Sequence, residues 1–313
     1  MPQKLLIDAD PGIGDALAIA LAVVDPDLEV LAITGTAGCV AGDIACRNIL
    51  TVISHLDPPR WPRFGHGEGP RKIGRGDQHF PNPQLLHGAN GLGDCPTVDV
   101  EHHQKHEAAK VLIDCVKGAP GECVLLTLGP LTNIQRAVEL FPEFLQQLSG
   151  FVCLGGSAVG LGDLHAAVEF NVGADPEAAR SVLGVLSSKL LIPLEVSRQM
   201  TLSFDQFERL KSRGNRLNGL LEQLIPFGLR ASRQHLGLEG LLLPEVVALA
   251  AVRHPEIFEK EDGIVDVELH GELTRGMTVF DRRRSGPREA NISHATAVET
   301  EAVLDYIARL IRS

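Results

Sequence analysis

LLIDADPGIGDALAIA, running from Leu5 to Ala20, is the stretch around which the chain is organised. The apolar run Leu5-Leu6-Ile7 ends at two acidic residues one apart, Asp8 and Asp10. Pro11 and Gly12 then break the strand, and Asp15 opens a pattern rich in Ala, Leu and Ile with helical spacing. A buried parallel strand that passes through a tight turn into a helix puts its carboxyl end at the ligand-binding edge of an open α/β sheet. Three carboxylates within eight residues repel one another unless a cation neutralises them, which points to a hard metal ion with oxygen ligands.

Other readings of the stretch make different demands. Plain N-caps and turn residues would use the same Asp side chains without any ligand. An EF-hand loop counted from Asp8 needs Gly at its sixth place and Glu at its twelfth, where Ile13 and Ile19 stand. A phosphatase of the haloacid dehalogenase type also carries D-x-D after its first strand, and it stays open at this point.

With 313 residues the chain can bury a large core. Hydrophobic residues make up 44% and aromatics only 4%, so the core is aliphatic, as parallel strands covered by helices require. A net charge of −11 argues against nucleic acid or an anionic membrane as partner. The local arginine runs, Arg71 to Arg75 and Arg282 to Arg284, read as solvated faces. Six scattered cysteines without a C-x-x-C pair read as small buried hydrophobes in a reducing compartment. No leader and no membrane-length apolar run is evident, so a soluble cytoplasmic protein is expected.

Strand patterns recur at Leu28 to Thr36, Glu122 to Thr127, Gly150 to Leu154 and Leu190 to Leu194. Helical patterns fall at Gly42 to His55, at His102 to Lys117 and after Asp175-Pro176, where a cap precedes a proline. Pro58 to Pro83 reads as a long excursion, Phe204 to Arg253 as mostly helical, Ile264 to Asp281 as a hairpin, and Ala297 to Ile311 as a final helix. The β-turn-α order predicts a mainly parallel open sheet with helices on both faces. With no repeat and no linker composition, residues 1–313 are expected to form a single domain.

Five motifs in order resemble the inosine-uridine preferring nucleoside hydrolase family over essentially the whole length. They are Asp8-Ala-Asp10-Pro-Gly12-Ile-Gly-Asp15, Gly129-Pro-Leu-Thr-Asn133, Leu154-Gly-Gly156, Glu169-Phe-Asn171 with Asp175-Pro176, and Gly271-Glu-Leu-Thr-Arg-Gly276. The resemblance displaces the phosphatase reading. It implies a Rossmann-like nucleoside hydrolase fold and a Ca²⁺-dependent N-ribohydrolase of purine or pyrimidine salvage, acting as a homodimer or homotetramer. Asp10 and Asp15 match the metal-binding carboxylates, Leu128 the backbone carbonyl donor, and Glu245, counted back from His254-Pro255, the late acidic ligand. In the implied chemistry Ca²⁺ chelates vicinal sugar hydroxyls and holds a water, and Asp10 is the general base that takes its proton. Positive charge building on the sugar is stabilised by the surrounding carboxylates. Glu169 and Asn171 match the segment that contacts sugar hydroxyls, and His87 is a candidate for facing the base.

The chain departs from the family pattern at the site itself. Gly14 stands where the motif has the first of two aspartates, and Cys39 where Asn is common. Asp163 replaces an Asn beside the sugar's 5′ end, and Pro244-Glu245 replaces a His-Asp pair. Pro244 has no proton to give a leaving group. Asn90 falls where an acidic or hydroxyl residue is frequent, and Arg230 and Arg233 are positioned to line the mouth of a pocket. Two functions therefore compete: a working glycohydrolase on a nucleoside, or an attenuated relative that binds a ribosyl or other sugar-like ligand without turnover.

Overall fold

The computed structural model describes residues 1–70, 82–98, 106–211, 214–283 and 289–312. In chain order the strands are β1 (Gln3–Ala9), β2 (Leu28–Gly35), β3 (Arg63–His66), β4 (Cys123–Thr127), β5 (Gly150–Leu154), β6 (Lys189–Ile192), β7 (Thr201–Ser203), β8 (Gly240–Leu242), β9 (Phe258–Gly263), β10 (Val265–Val267), β11 (Thr278–Phe280) and β12 (Ile292–Val298). The helices are α1 (Ile13–Val24), α2 (Gly42–Leu56), α3 (Pro83–His87), α4 (Ala108–Gly118), α5 (Thr132–Leu140), α6 (Phe170–Ala174), α7 (Pro176–Leu183), α8 (Leu194–Ser197), α9 (Phe204–Leu210), α10 (Arg216–Ala231), α11 (Pro244–Arg253) and α12 (Thr300–Arg312).

Among the described residues, eight strands form one sheet in the order β3-β2-β1-β4-β5-β6-β12-β9. All neighbours are parallel except β12 and β9. This is the predicted mainly parallel sheet flanked by helices. The chain runs outward from β1 to β3, then crosses back to lay β4 on the other side of β1. Such a reversal opens a crevice beyond the carboxyl ends of β1 and β4, where open α/β sheets bind ligands.

Alternation along β1 divides the core. Leu5 and Ile7 belong to the cluster formed with α1, α10, α11 and α12, whereas Leu6 joins the cluster of α4, α5 and α7. Both clusters are aliphatic, as the composition requires. The hairpin read over Ile264 to Asp281 is present as antiparallel β10 and β11.

Several elements differ from the sequence reading. β3 lies inside the Pro58 to Pro83 excursion, whose residues 71–81, including the whole run Arg71 to Arg75, fall outside the described set, as does Arg284. The helix expected from His102 begins at Ala108 in α4, with residues 101–105 not described. β9 (FEKEDG) carries charged, exposed side chains because it is an edge strand, so it lacks the apolar alternation that marks a buried one. β12 (ISHATAV) occupies the stretch just before the final helix and extends the sheet between β6 and β9. Within the region read as helical, β8 pairs with β7 as a separate small sheet.

Candidate active site

At the carboxyl end of β1 the two acidic residues of the opening motif go separate ways. Asp8, still inside the strand, points to the face of Leu6. There its Oδ1 accepts from the Thr34 hydroxyl and, at 2.8 Å, from Asn133 Nδ2 of α5. Asp8 thus ties β1, β2 and α5 together and does not line the cavity, which corrects the three-carboxylate cluster expected from the sequence. The strand ends at Ala9, so alternation no longer governs Asp10, which turns into a cavity of about 180 Å³ with Asp15 and Glu245 on its wall.

Asp10 is 1% exposed and wedged between two glycines. A β-carbon at Gly38 would overlap its Oδ2, and one at Gly129 would overlap its Oδ1. The backbone N–H of Cys39 donates to Asp10 Oδ2 at 2.6 Å. Asp15, in the first turn of α1, accepts from Gly12 N–H at 3.1 Å through Oδ2, while its Oδ1 is buried without a partner. Glu245, in the first turn of α11, also carries a buried, unpartnered oxygen, Oε2. Burial raises the pKa of Asp10 to about 7, the Cys39 N–H opposing and Glu245 adding to the rise. Burial first and Asp15 second push Glu245 to about 8, and burial together with Asp10 holds Asp15 well above the carboxylate range.

The donors are all hard oxygens, and two lack any partner, as an oxygen-liganded cation requires. The Leu128 carbonyl, also on the cavity wall, is already accepting from Asn171 Nδ2 at 2.7 Å, leaving one lone pair. Among the described residues no three Asp, Glu, His or Cys side chains converge on one point at metal-ligand spacing. The residue types and the orphaned oxygens fit a divalent ion; their present spread has the three carboxyl groups apart.

In the Glu169-Phe170-Asn171 segment both polar side chains are buried and Phe170 is half-buried. Glu169 Oε2 accepts from Gly156 N–H at 2.8 Å and Val172 N–H at 3.0 Å, and Oε1 from Asn171 N–H at 2.9 Å. Gly156 has φ +69°, a conformation that suits glycine and aims its N–H at this carboxylate. Asn171 Nδ2 bridges the carbonyls of Leu128 and Leu154, the end residues after β4 and of β5. Both side chains line the cavity and at the same time pin the loops that form it. Burial raises Glu169 to about 8, with Asp163 adding to the rise.

His87, at the end of α3, also lines the cavity, against the start of α1. Its Nδ1 accepts from Ile13 N–H, at the start of α1, at 3.1 Å, so a neutral ring carries its proton on Nε2. Loss of water around the ring lowers its pKa to about 4. Asp163 also lines the cavity, with Oδ1 accepting from Phe170 N–H at 2.8 Å and Oδ2 paired with Arg198 at 3.1 Å. Arg198 itself was not singled out from the sequence; no local pattern links it to Asp163 across the intervening chain.

Three sequence expectations fall elsewhere. Arg230 stacks over Phe227 and Arg233 pairs with Glu239, and neither lines the cavity, where Ser232 and Leu236 stand instead. Asn90 staples its own loop, donating to the Cys95 carbonyl and accepting from Leu92 and Asp94 N–H. Cys39 does reach the cavity, where its backbone N–H and its thiol both hydrogen-bond Asp10; burial and the neighbouring acids hold that thiol protonated.

Comparison with known proteins identifies the family. The family model described as inosine-uridine preferring nucleoside hydrolase matches residues 5–305. Uridine nucleosidase 1 of Arabidopsis thaliana is 32% identical over 99% of this chain and 94% of its own length. A pyrimidine-specific ribonucleoside hydrolase of Salmonella schwarzengrund is 29% identical over 100% of this chain and 99% of its own. The structure of a purine-preferring ribonucleoside hydrolase from Gardnerella vaginalis superposes with a TM-score of 0.88 at 27% identity, covering 99% of this chain and 98% of that one. With the sheet order, the carboxylates beyond β1 and a match along nearly its full length, the chain belongs to the inosine-uridine preferring nucleoside hydrolase family and is a nucleoside hydrolase.

Proposed function

We propose that this enzyme cleaves the N-glycosidic bond of purine or pyrimidine ribonucleosides to ribose and free base, with Asp10 as the general base. The carrying observation is the set of buried carboxyl groups, Asp10, Asp15 and Glu245, two of them with orphaned oxygens, around one cavity at the sheet's switch point. The relatives' names span uridine, pyrimidine and purine substrates, which supports the nucleoside class rather than one base.

Asp10, Asp15, the Leu128 carbonyl and Glu245 are the residues that would hold Ca²⁺. When bound, the ion supplies Lewis acidity and orients sugar hydroxyls. The remaining chemistry belongs to the chain. Asp10, oriented by the Cys39 N–H and confined by two glycines, takes the proton of the attacking water. The anionic wall stabilises positive charge on the ribose ring in the transition state. Asp163 and Glu169 face the sugar, Asn171 holds the loops around it, and His87, with Nε2–H free of the Ile13 contact, is assigned to the base. Pro244 gives no leaving-group proton. Scattered cysteines without a C-x-x-C pair support a reducing, cytoplasmic setting; no described helix is long and apolar enough to cross a membrane. A single domain and assembly into homodimers or homotetramers complete the proposal, the latter read out by light scattering on a sizing column.

The test is release of free ribose from a panel of purine and pyrimidine nucleosides. Asp10→Asn is expected to lower kcat/KM by about 10²–10⁴-fold. Nucleoside binding with no ribose from any member, or turnover indifferent to Asp10→Asn, would sink the reading. Ca²⁺ at about 100 times its Kd is expected to stabilise the metal-stripped protein by about 2.7 kcal/mol in thermal melts.

A further inference from the structure

We infer that Gly14 and Glu245 form a matched pair, in which the bare position on α1 is the seat of the Glu245 carboxyl group, so that the cavity's third acid is delivered from α11. The assignment of that acid to a cation rests on the proposed function; the pairing itself does not.

Gly14 lies in the first turn of α1, and its φ is not among the positive ones, so the backbone there is open to any residue. Glycine inside a helix costs about 1 kcal/mol relative to alanine, and some other requirement must keep it. The requirement is space. A β-carbon on Gly14 would overlap Cδ and Oε2 of Glu245 and lie 2.7 Å from Oε1. These atoms are the far end of the Glu245 side chain, so a β-carbon at 14 is admitted only if the carboxyl group leaves this position. Helices α1 and α11 pack on each other, and Pro244 fixes the start of α11 so that Glu245 leaves its first turn toward α1.

What the seated group does follows from its unmet bonding. Glu245 Oε2 is buried with no hydrogen-bond partner, and so is Oδ1 of the nearly fully buried Asp15 on the same turn of α1. Packing alone does not explain a carboxylate here, since an apolar side chain would fill the seat without an orphaned oxygen. Two such oxygens on one cavity wall fit a cation with oxygen ligands. Glu245 therefore acts as a positioning and ligating carboxylate, and the absence of a side chain at 14 is the condition for it.

The experiment is a set of variants melted in EDTA and again across a calcium chloride titration. Gly14→Ala alone is expected to lower the EDTA midpoint and to weaken Ca²⁺ binding by about 10–100-fold, because Glu245 is driven off its seat. In the Glu245→Ala background the same Gly14→Ala change is expected to be neutral or stabilising. Glu245→Gln keeps the volume and is expected to hold the EDTA midpoint while losing the Ca²⁺ response. Gly14→Asp with Glu245→Ala returns the carboxyl group from α1 and is expected to regain part of that response, an effect no purely structural role would give. Equal cost of Gly14→Ala with and without Glu245→Ala would overturn the pairing. A full Ca²⁺ response in Glu245→Gln would overturn the ligating role. Should the unaltered protein show no Ca²⁺ response, the cation reading fails while the EDTA cycle still decides the pairing.

Discussion

His87 shows how one side chain couples the cavity wall to the start of a helix. Its Nδ1 takes the Ile13 N–H, one of the donors that a helix leaves unpaired at its first turn. Protonation would turn that acceptor into a second donor and break the contact. The unfolded ring takes a proton near its ordinary value of about 6.5, whereas the folded ring resists until about 4. The contribution of His87 is therefore intact above 6.5 and is lost as pH falls toward 4. Subtracting the melting profile of His87→Asn from that of the parent between pH 7 and 4.5 is expected to leave this loss. A flat difference would mean that the ring already binds a proton freely. At this scale Asp10 and Asp15 stood out in the sequence as acidic residues at a strand end and a helix start, whereas Glu245 came only from the family resemblance; all three line one cavity. The split between Asp8 and Asp10 was not legible, since it depends on β1 stopping one residue short of Asp10. The Arg198 partner of Asp163 and the loop-pinning bonds of Glu169 and Asn171 come from three-dimensional proximity alone.

Helix α11 illustrates how a secondary element holds the wall in register. Its first turn presents Glu245 to the cavity, and its last residue, Arg253, pairs with Asp25 at 3.2 Å and Asp27 at 2.9 Å beyond the end of α1. Tyr306 of α12 donates its hydroxyl to the same Asp25 oxygen at 2.9 Å. Asp25 is 2% exposed, so losing the guanidinium strands a buried charge. Arg253→Met is expected to cost about 3–5 kcal/mol in urea unfolding, which is the usual penalty for breaking a buried pair from one side. A loss below about 1 kcal/mol would show that Tyr306 and water suffice for Asp25. Element by element, the buried parallel strands were legible from continuous apolar runs such as CVLLT and GFVCL. The edge strand β9 and its neighbour β12 were not, because charged or small residues mask the period-two signal.

On the scale of the whole molecule, the sheet order sets β1 between β2 and β4, with the crevice of the switch point at its end. The aliphatic composition and the recurring β-turn-α order were enough to foresee this architecture, since parallel strands buried on both faces leave few alternatives. Sequence did not reveal that the sheet is finished by β12, near the end of the chain. During synthesis, Asp10 and Asp15 emerge from the ribosome long before Glu245 and before β12, the strand that completes the sheet. Nascent chains arrested upstream of Pro244 should thus gain no protease resistance from calcium, whereas chains released at full length should. The enzyme is silent until α11 and β12 have been made, and its apolar first helix waits uncovered for that late-made partner.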